Sequence, residues 1–132
     1  MMLLDTHILL SALGQVDLVL PNEVQVALQK KIHSAVSVAS IWEIAIKQRT
    51  GKLRLTIAME NLLKLIAQQN IEMIDITVAH TLADIGPEPL TKDPFDRLLL
   101  GVCATESMKL LTIDRALADH PLAWREKQEV QS

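Results

Sequence analysis

A chain of 132 residues that is 49% hydrophobic and 22% charged has the length and composition of one globular domain over residues 1–132, which excludes a disordered or fibrous chain. A lone cysteine, Cys103, excludes an internal disulfide framework, argues with the four histidines against a zinc cluster, and suits a reduced, cytoplasmic setting. The net charge of −3 does not advertise a nucleic-acid binder, and an aromatic fraction of 2% argues against multi-ring base-stacking platforms.

The chain opens on Met1-Met2-Leu3-Leu4-Asp5, with no basic segment and an acid that interrupts the apolar run at once, so no secretory signal is expected. No uncharged stretch approaches roughly 18 residues, so no membrane span is expected either. Leu3–Leu4 reads as a short buried strand, followed by a helix over Thr6–Leu13 that Gly14 ends. Pro21–Lys31 reads as a helix with Pro in its first turn and two lysines in its last, which suits the helix dipole. His33–Val38 is small and β-branched, a second strand, and Ser40–Arg49 a helix with Gly51 just beyond its end. Ile57–Gln69 repeats apolar residues at helical spacing, Ile71–Ile76 alternates as a strand, and Thr77–Ile85 is helical. Gly86-Pro87-Glu88-Pro89 is a loop. Asp93 caps, and Pro94 opens, a strong helix to Ser107; Leu110–Ile113 is a last strand, and Asp114 opens a last helix. Short, continuously apolar strands separated by helices imply a parallel sheet covered on both faces, a three-layer α/β/α sandwich.

Four acids share one kind of address in that fold. Asp5 and Asp114 follow the first and last strands, while Glu43 and Asp96 lie in the opening turns of helices. In a doubly wound sheet these positions face one edge, where ligands bind. Each has an ordinary structural reading as well. Helix N-termini favour acids, Ser40-Ile41-Trp42-Glu43 matches a capping box, and Asp93-Pro94-Phe95-Asp96 is a cap followed by an acid. Glu43 and Asp96, however, emerge from apolar surroundings where an ionised carboxyl needs compensation. Clustered carboxylates without a shared basic neighbour call for protons or cations, and oxygen-only donors favour Mg²⁺ or Mn²⁺ over zinc. Acidic Mg²⁺ sites serve phosphoryl chemistry. Setting the four aside leaves fewer acids than the 13 Lys and Arg. The run Lys47, Arg49, Lys52, Arg54 is either a track for a phosphate backbone or a solvated helix end.

Taken together, Leu4-Asp5-Thr6-His7, the block Ser37–Lys47 with its S-x-W-E-I-x-x-K pattern, Gly51-Lys52-Leu53, Asp93-Pro94-Phe95-Asp96-Arg97-Leu98-Leu99 and Leu111-Thr112-Ile113-Asp114 resemble the PIN-domain ribonucleases, in particular VapC-type toxins of bacterial toxin–antitoxin pairs. The resemblance implies an Mg²⁺- or Mn²⁺-dependent nuclease that cleaves single-stranded RNA; attack by a metal-activated water would leave a 5′-phosphate and a 3′-hydroxyl. It also implies a small antitoxin as partner and a homodimer. By position it assigns Asp5, Glu43, Asp96 and Asp114 to the catalytic metal site, with Asp93 as a helix cap. It sets Thr6, Thr112 and Arg97 near substrate or phosphate. Ser11, Gly101-Val102 and His120 depart from the pattern where many relatives carry Trp, Ala-Gln and Tyr, and none of them touches the four acids. Two other small α/β classes fit worse. A haloacid-dehalogenase phosphatase wants D-x-D after the first strand, where His7 stands, and a receiver domain wants adjacent acids there and a Lys after the last strand. A PIN-like module that binds RNA or protein without cleaving it is the remaining alternative.

Overall fold

The computed structural model describes residues 1–30 and 32–125. Four strands, β1 (Met2–Leu4), β2 (Ser34–Ser37), β3 (Glu72–Ile74) and β4 (Lys109–Leu111), form one sheet in the order β3-β2-β1-β4. All three pairings are parallel, with Leu3 opposite Ala35 and Leu110, and Val36 opposite Met73. The helices are α1 (Thr6–Ala12), α2 (Asn22–Gln29), α3 (Val38–Arg49), α4 (Met59–Gln68), α5 (Val78–Leu82), α6 (Pro94–Glu106) and α7 (Arg115–Ala118).

Side chains that alternate along a strand divide the core in two. Met2, Leu4, Val36 and Leu111 point to one face and pack with Ile8, Leu9, Val24, Leu62 and Ile66 of α1, α2 and α4. Leu3, Ala35 and Leu110 point to the other and pack with Leu99, Leu100, Val102 and Cys103 of α6 and Leu117 of α7. Helix α3 supplies Ile44 to the first cluster and Ala39 to the second. This is the expected three-layer α/β/α arrangement around a parallel sheet. The outer edge of β4 is covered by the chain itself: Leu110 accepts from Trp124 N–H at 2.8 Å and donates to the Leu122 carbonyl at 2.8 Å. Among the described residues no helix is long and apolar enough to cross a membrane.

Several boundaries moved. The second strand stops at Ser37, whose hydroxyl accepts from Ala39 N–H at 3.0 Å and caps α3. Ser40 is therefore inside the helix, and Ser40–Glu43 is not a capping box. The box is instead at α5, where Thr77 accepts from His80 N–H and the His80 ring accepts from Thr77 N–H. Pro21 occupies the cap position of α2 and Asn22 opens it; Lys31 lies outside the described residues. Asp93 caps α6 with Pro94 at its first position, and Gly14 and Gly51 take positive φ just past α1 and α3, each as the sequence reading expects.

Candidate metal centre

The first strand delivers Asp5 to the start of α1, where its Oδ1 accepts from Thr6 N–H at 2.7 Å. Its Oδ2 accepts from the Thr112 hydroxyl at 2.6 Å, and Thr112 Oγ1 in turn accepts from Asp114 N–H at 3.0 Å. Asp114 stands three residues beyond β4 and caps α7 through Ala116 N–H. One hydroxyl thus ties together the segments that follow β1 and β4. Thr6 plays the matching part toward α3. Its buried hydroxyl donates to Glu43 Oε1 at 2.6 Å and lies 2.9 Å from Ser40 Oγ. Glu43, in the second turn of α3, is 6% exposed, and its Oε2 pairs with Lys47 Nζ at 2.8 Å, one helical turn on.

Asp96, the third residue of α6, is buried, and among the described residues no hydrogen bond reaches its carboxylate. Its carboxyl is pushed up to about 7, first by burial and then by the charges of Asp93, Asp5, Asp114 and Glu43. That response places the other four carboxylates within electrostatic reach of Asp96. The Asp5 carboxyl is also raised, chiefly by burial; the Thr112 hydroxyl, Thr6 N–H and His7 act against that rise. Lys47 is held above the usual lysine range by its bond to Glu43 and by the negative charge of Asp93 and Asp96. Asp93 itself is turned to its own helix, accepting from Phe95 N–H at 2.8 Å.

The structure therefore brings Asp5, Glu43, Asp96 and Asp114 toward one sheet edge. Thr6 and Thr112 have their hydroxyls committed to carboxylates, and Arg97 is half-exposed with its guanidinium 3.5 Å from Glu88. The sequence reading placed Lys47 in a basic run downstream of Glu43 but not in an ion pair with it, although the i, i+4 spacing was a usable signal. It also missed Ser37 as cap and Ser40 as a partner of Thr6.

The donor set consists of oxygen atoms with excess negative charge, which suits a hard divalent cation such as Mg²⁺ or Mn²⁺. Asp96, with an unbonded and charge-stressed carboxyl, is the side chain such a cation would relieve most. Even so, no group of three His, Cys, Asp or Glu among the described residues is gathered tightly enough to hold a metal as it stands. Asp5 and Glu43 are engaged by the two threonines and Lys47 instead.

Two other histidines are buried in the packing, and His33 lies nearer the surface. His80 is fully buried and bonded to Glu106 at 2.8 Å, His120 is buried against the Pro87 carbonyl at 2.8 Å, and His33 pairs with Glu72. Burial lifts the Cys103 thiol to about 12, which leaves it an inert core residue. A cavity of about 440 Å³ between the start of α2, the end of β4 and Trp124 shares Thr112 with the cluster.

Comparison with known proteins bears on this geometry. The PIN domain family matches residues 2–121 of the chain. Among solved structures, the chain is similar to one described as a toxin–antitoxin complex from Klebsiella pneumoniae, with a TM-score of 0.58 and 14% identity; the match covers 95% of this chain and 97% of the other. At that identity the likeness concerns the fold. The search of curated proteins finds no match.

Proposed function

The chain belongs to the PIN domain family, and from that premise we propose that it is an Mg²⁺- or Mn²⁺-dependent endoribonuclease of single-stranded RNA, the toxin of a VapC-type pair. The observation that carries the reading is the nearness of Asp5, Glu43 and Asp114 to the buried Asp96 carboxyl, which is pushed up to about 7. Carboxylates are brought together at such cost where a cation or a proton transfer requires them.

Asp5, Glu43, Asp96 and Asp114 would hold the cation, which when bound supplies a lowered pKa for water and charge stabilisation at phosphorus. The chain's own groups fix the geometry. Thr6 N–H and the Thr112 hydroxyl clamp both oxygens of Asp5, leaving its carboxylate one orientation. Thr6, whose hydroxyl also meets Ser40 Oγ, holds Glu43 from the start of α1. Lys47, now on Glu43, is free to swing to an RNA phosphate once another cation takes up the negative charge, since it reaches Glu43 from the surface. Asp114, half-buried, would complete the cation's shell, or position a second metal or the attacking water. In-line attack of that water breaks the P–O3′ bond and leaves a 5′-phosphate and a 3′-hydroxyl.

The solved neighbour described as a toxin–antitoxin complex supports a small antitoxin protein as partner. A homodimer acting in the cytoplasm completes the proposal. The Lys47–Glu43 pair and the absence of a closed ligand set among the described residues favour the second reading, a PIN-like module that binds RNA or protein without cleaving it. Incubating the purified protein with single-stranded RNA in Mg²⁺ and in chelator separates the two readings: the first expects cleavage only with the metal, the second none in either.

A further inference from the structure

Two of the chain's three aromatic rings meet beside the acidic cluster. Trp42 precedes Glu43 on α3, and Phe95 precedes Asp96 on α6. Their centroids are 5.4 Å apart with the planes at 74°, an edge-to-face contact that fixes both rings. Trp42 is nevertheless 54% exposed, the largest side chain left open to solvent among the described residues. The sequence reading discounted base stacking because rings are few. The fold, however, sets two of them together where the two buried acids emerge.

Beyond the acids, the same two helices carry arginines that could take phosphates. At about 100° per residue, Arg49 lies seven positions after Trp42 on the same face of α3, roughly 10 Å along the axis. Arg49 is exposed and makes no ion pair among the described residues. Arg97 stands two residues past Phe95, half-exposed and held only at 3.5 Å by Glu88. An open indole face flanked by cations, continuous with a cluster suited to phosphodiester chemistry, matches how single strands are held: bases on rings, phosphates on Arg.

We infer that the Trp42–Phe95 pair is a stacking seat for an RNA base next to the cleaved phosphate, with Arg49 taking the phosphate that follows. This rests on the ribonuclease reading for the location of the cleaved bond, but its test does not depend on cleavage. The indole offers a face to any base, so the seat selects single-stranded over paired RNA and tolerates every sequence.

The test is binding in chelator, where no cleavage is expected. In a Trp124→Phe protein the remaining tryptophan emission belongs to Trp42, and a short single-stranded oligoadenylate should quench it saturably. In the otherwise unchanged protein, Trp42→Ala should weaken binding of fluorescein-labelled oligoadenylate by roughly 5- to 150-fold, the range for losing one stacked base. Trp42→Phe should recover part of that loss. The dependence of affinity on salt should be unchanged in both, whereas Arg49→Ala should lower its logarithmic slope by about 0.7. Quenching on the intact indole needs no change at Trp42, so a poorly folded alanine variant leaves the inference open to refutation. Saturating RNA without quenching would overturn it. Unchanged RNA affinity in Trp42→Ala together with an altered light-scattering mass would also overturn it, assigning the rings to a protein contact. Quenched binding without Mg²⁺-dependent cleavage would refute the nuclease reading and keep the seat. Cleavage without quenching would do the reverse.

Discussion

At Asp96 two costs fall on the ionised carboxyl, loss of water and the nearness of four other acids. Folding therefore favours the protonated form. A carboxyl raised from 3.8 to about 7 contributes stability below pH 4 that is lost as pH rises through about 7. The metal-free protein should accordingly lose stability across that window, and Asp96→Asn, which carries no charge, should not. Thermal unfolding in chelator between pH 4 and 8 should show the variant pulling ahead of wild type as pH rises, by up to about 4 kcal/mol. Mg²⁺ should raise the melting temperature of wild type and have little effect on the variant. Asp93, three residues away and equally acidic, should behave in the opposite way. Its carboxylate caps α6 through Phe95 N–H, so Asp93→Ala should cost about 1 kcal/mol of stability and leave most RNA cleavage intact, measured by melting and by turnover. Loss of cleavage in Asp93→Ala with activity kept in Asp96→Asn would exchange their roles. The distinction was legible in the sequence because Pro94 marks the first helical position. The threonine clamps were not. Thr6–Glu43 and Thr112–Asp5 span 37 and 107 positions, and only the sheet order that places β1 between β2 and β4 brings them together.

At the scale of elements, α5 and α6 are docked through an unusual closeness. A Cβ added at Gly101, in the middle of α6, would overlap the carbonyl oxygen of His80. Glycine in a helix interior costs about 1 kcal/mol relative to alanine, so local propensity alone favours Ala there. The approach of α5 reverses that preference. His80 completes the joint: its ring accepts from Thr77 N–H and reaches Glu106 at the end of α6. Gly101→Ala should therefore lower stability by about 1–3 kcal/mol by overpacking, in spite of the better helix former, and unfolding in urea measures it. An unchanged or higher midpoint would mean that α5 yields without cost. Helix α6 was readable from its cap, its proline and its apolar run. The short α5 was drawn three residues too far, because Ala83 turns to extended geometry and ends the helix. The shift of the α3 cap from Ser40 to Ser37 has a similar cause, since β2 is only four residues long and hands directly into the helix.

For the whole molecule, short, continuously apolar strands separated by helices specified the layers, and the ends of those strands specified the edge where the acids gather. What periodicity leaves open is the outer surface. Val78 and Leu82, one turn apart on α5, are 73% and 78% exposed, and Leu90 is 89% exposed. Such residues on so small a chain accord with the proposed homodimer. Light scattering at tens of micromolar should give twice 14.7 kDa, and a monomer mass would remove that part of the proposal. The central claim is that the converging carboxylates serve a cation that cleaves RNA. Its most direct measurement is the cleavage of single-stranded RNA by the purified wild-type protein and by Asp96→Asn, each in Mg²⁺ and in chelator. The account predicts 5′-phosphate products from the wild type in Mg²⁺ alone, with the variant reduced by orders of magnitude. Equal cleavage with and without chelator, or undiminished cleavage by Asp96→Asn, would contradict it.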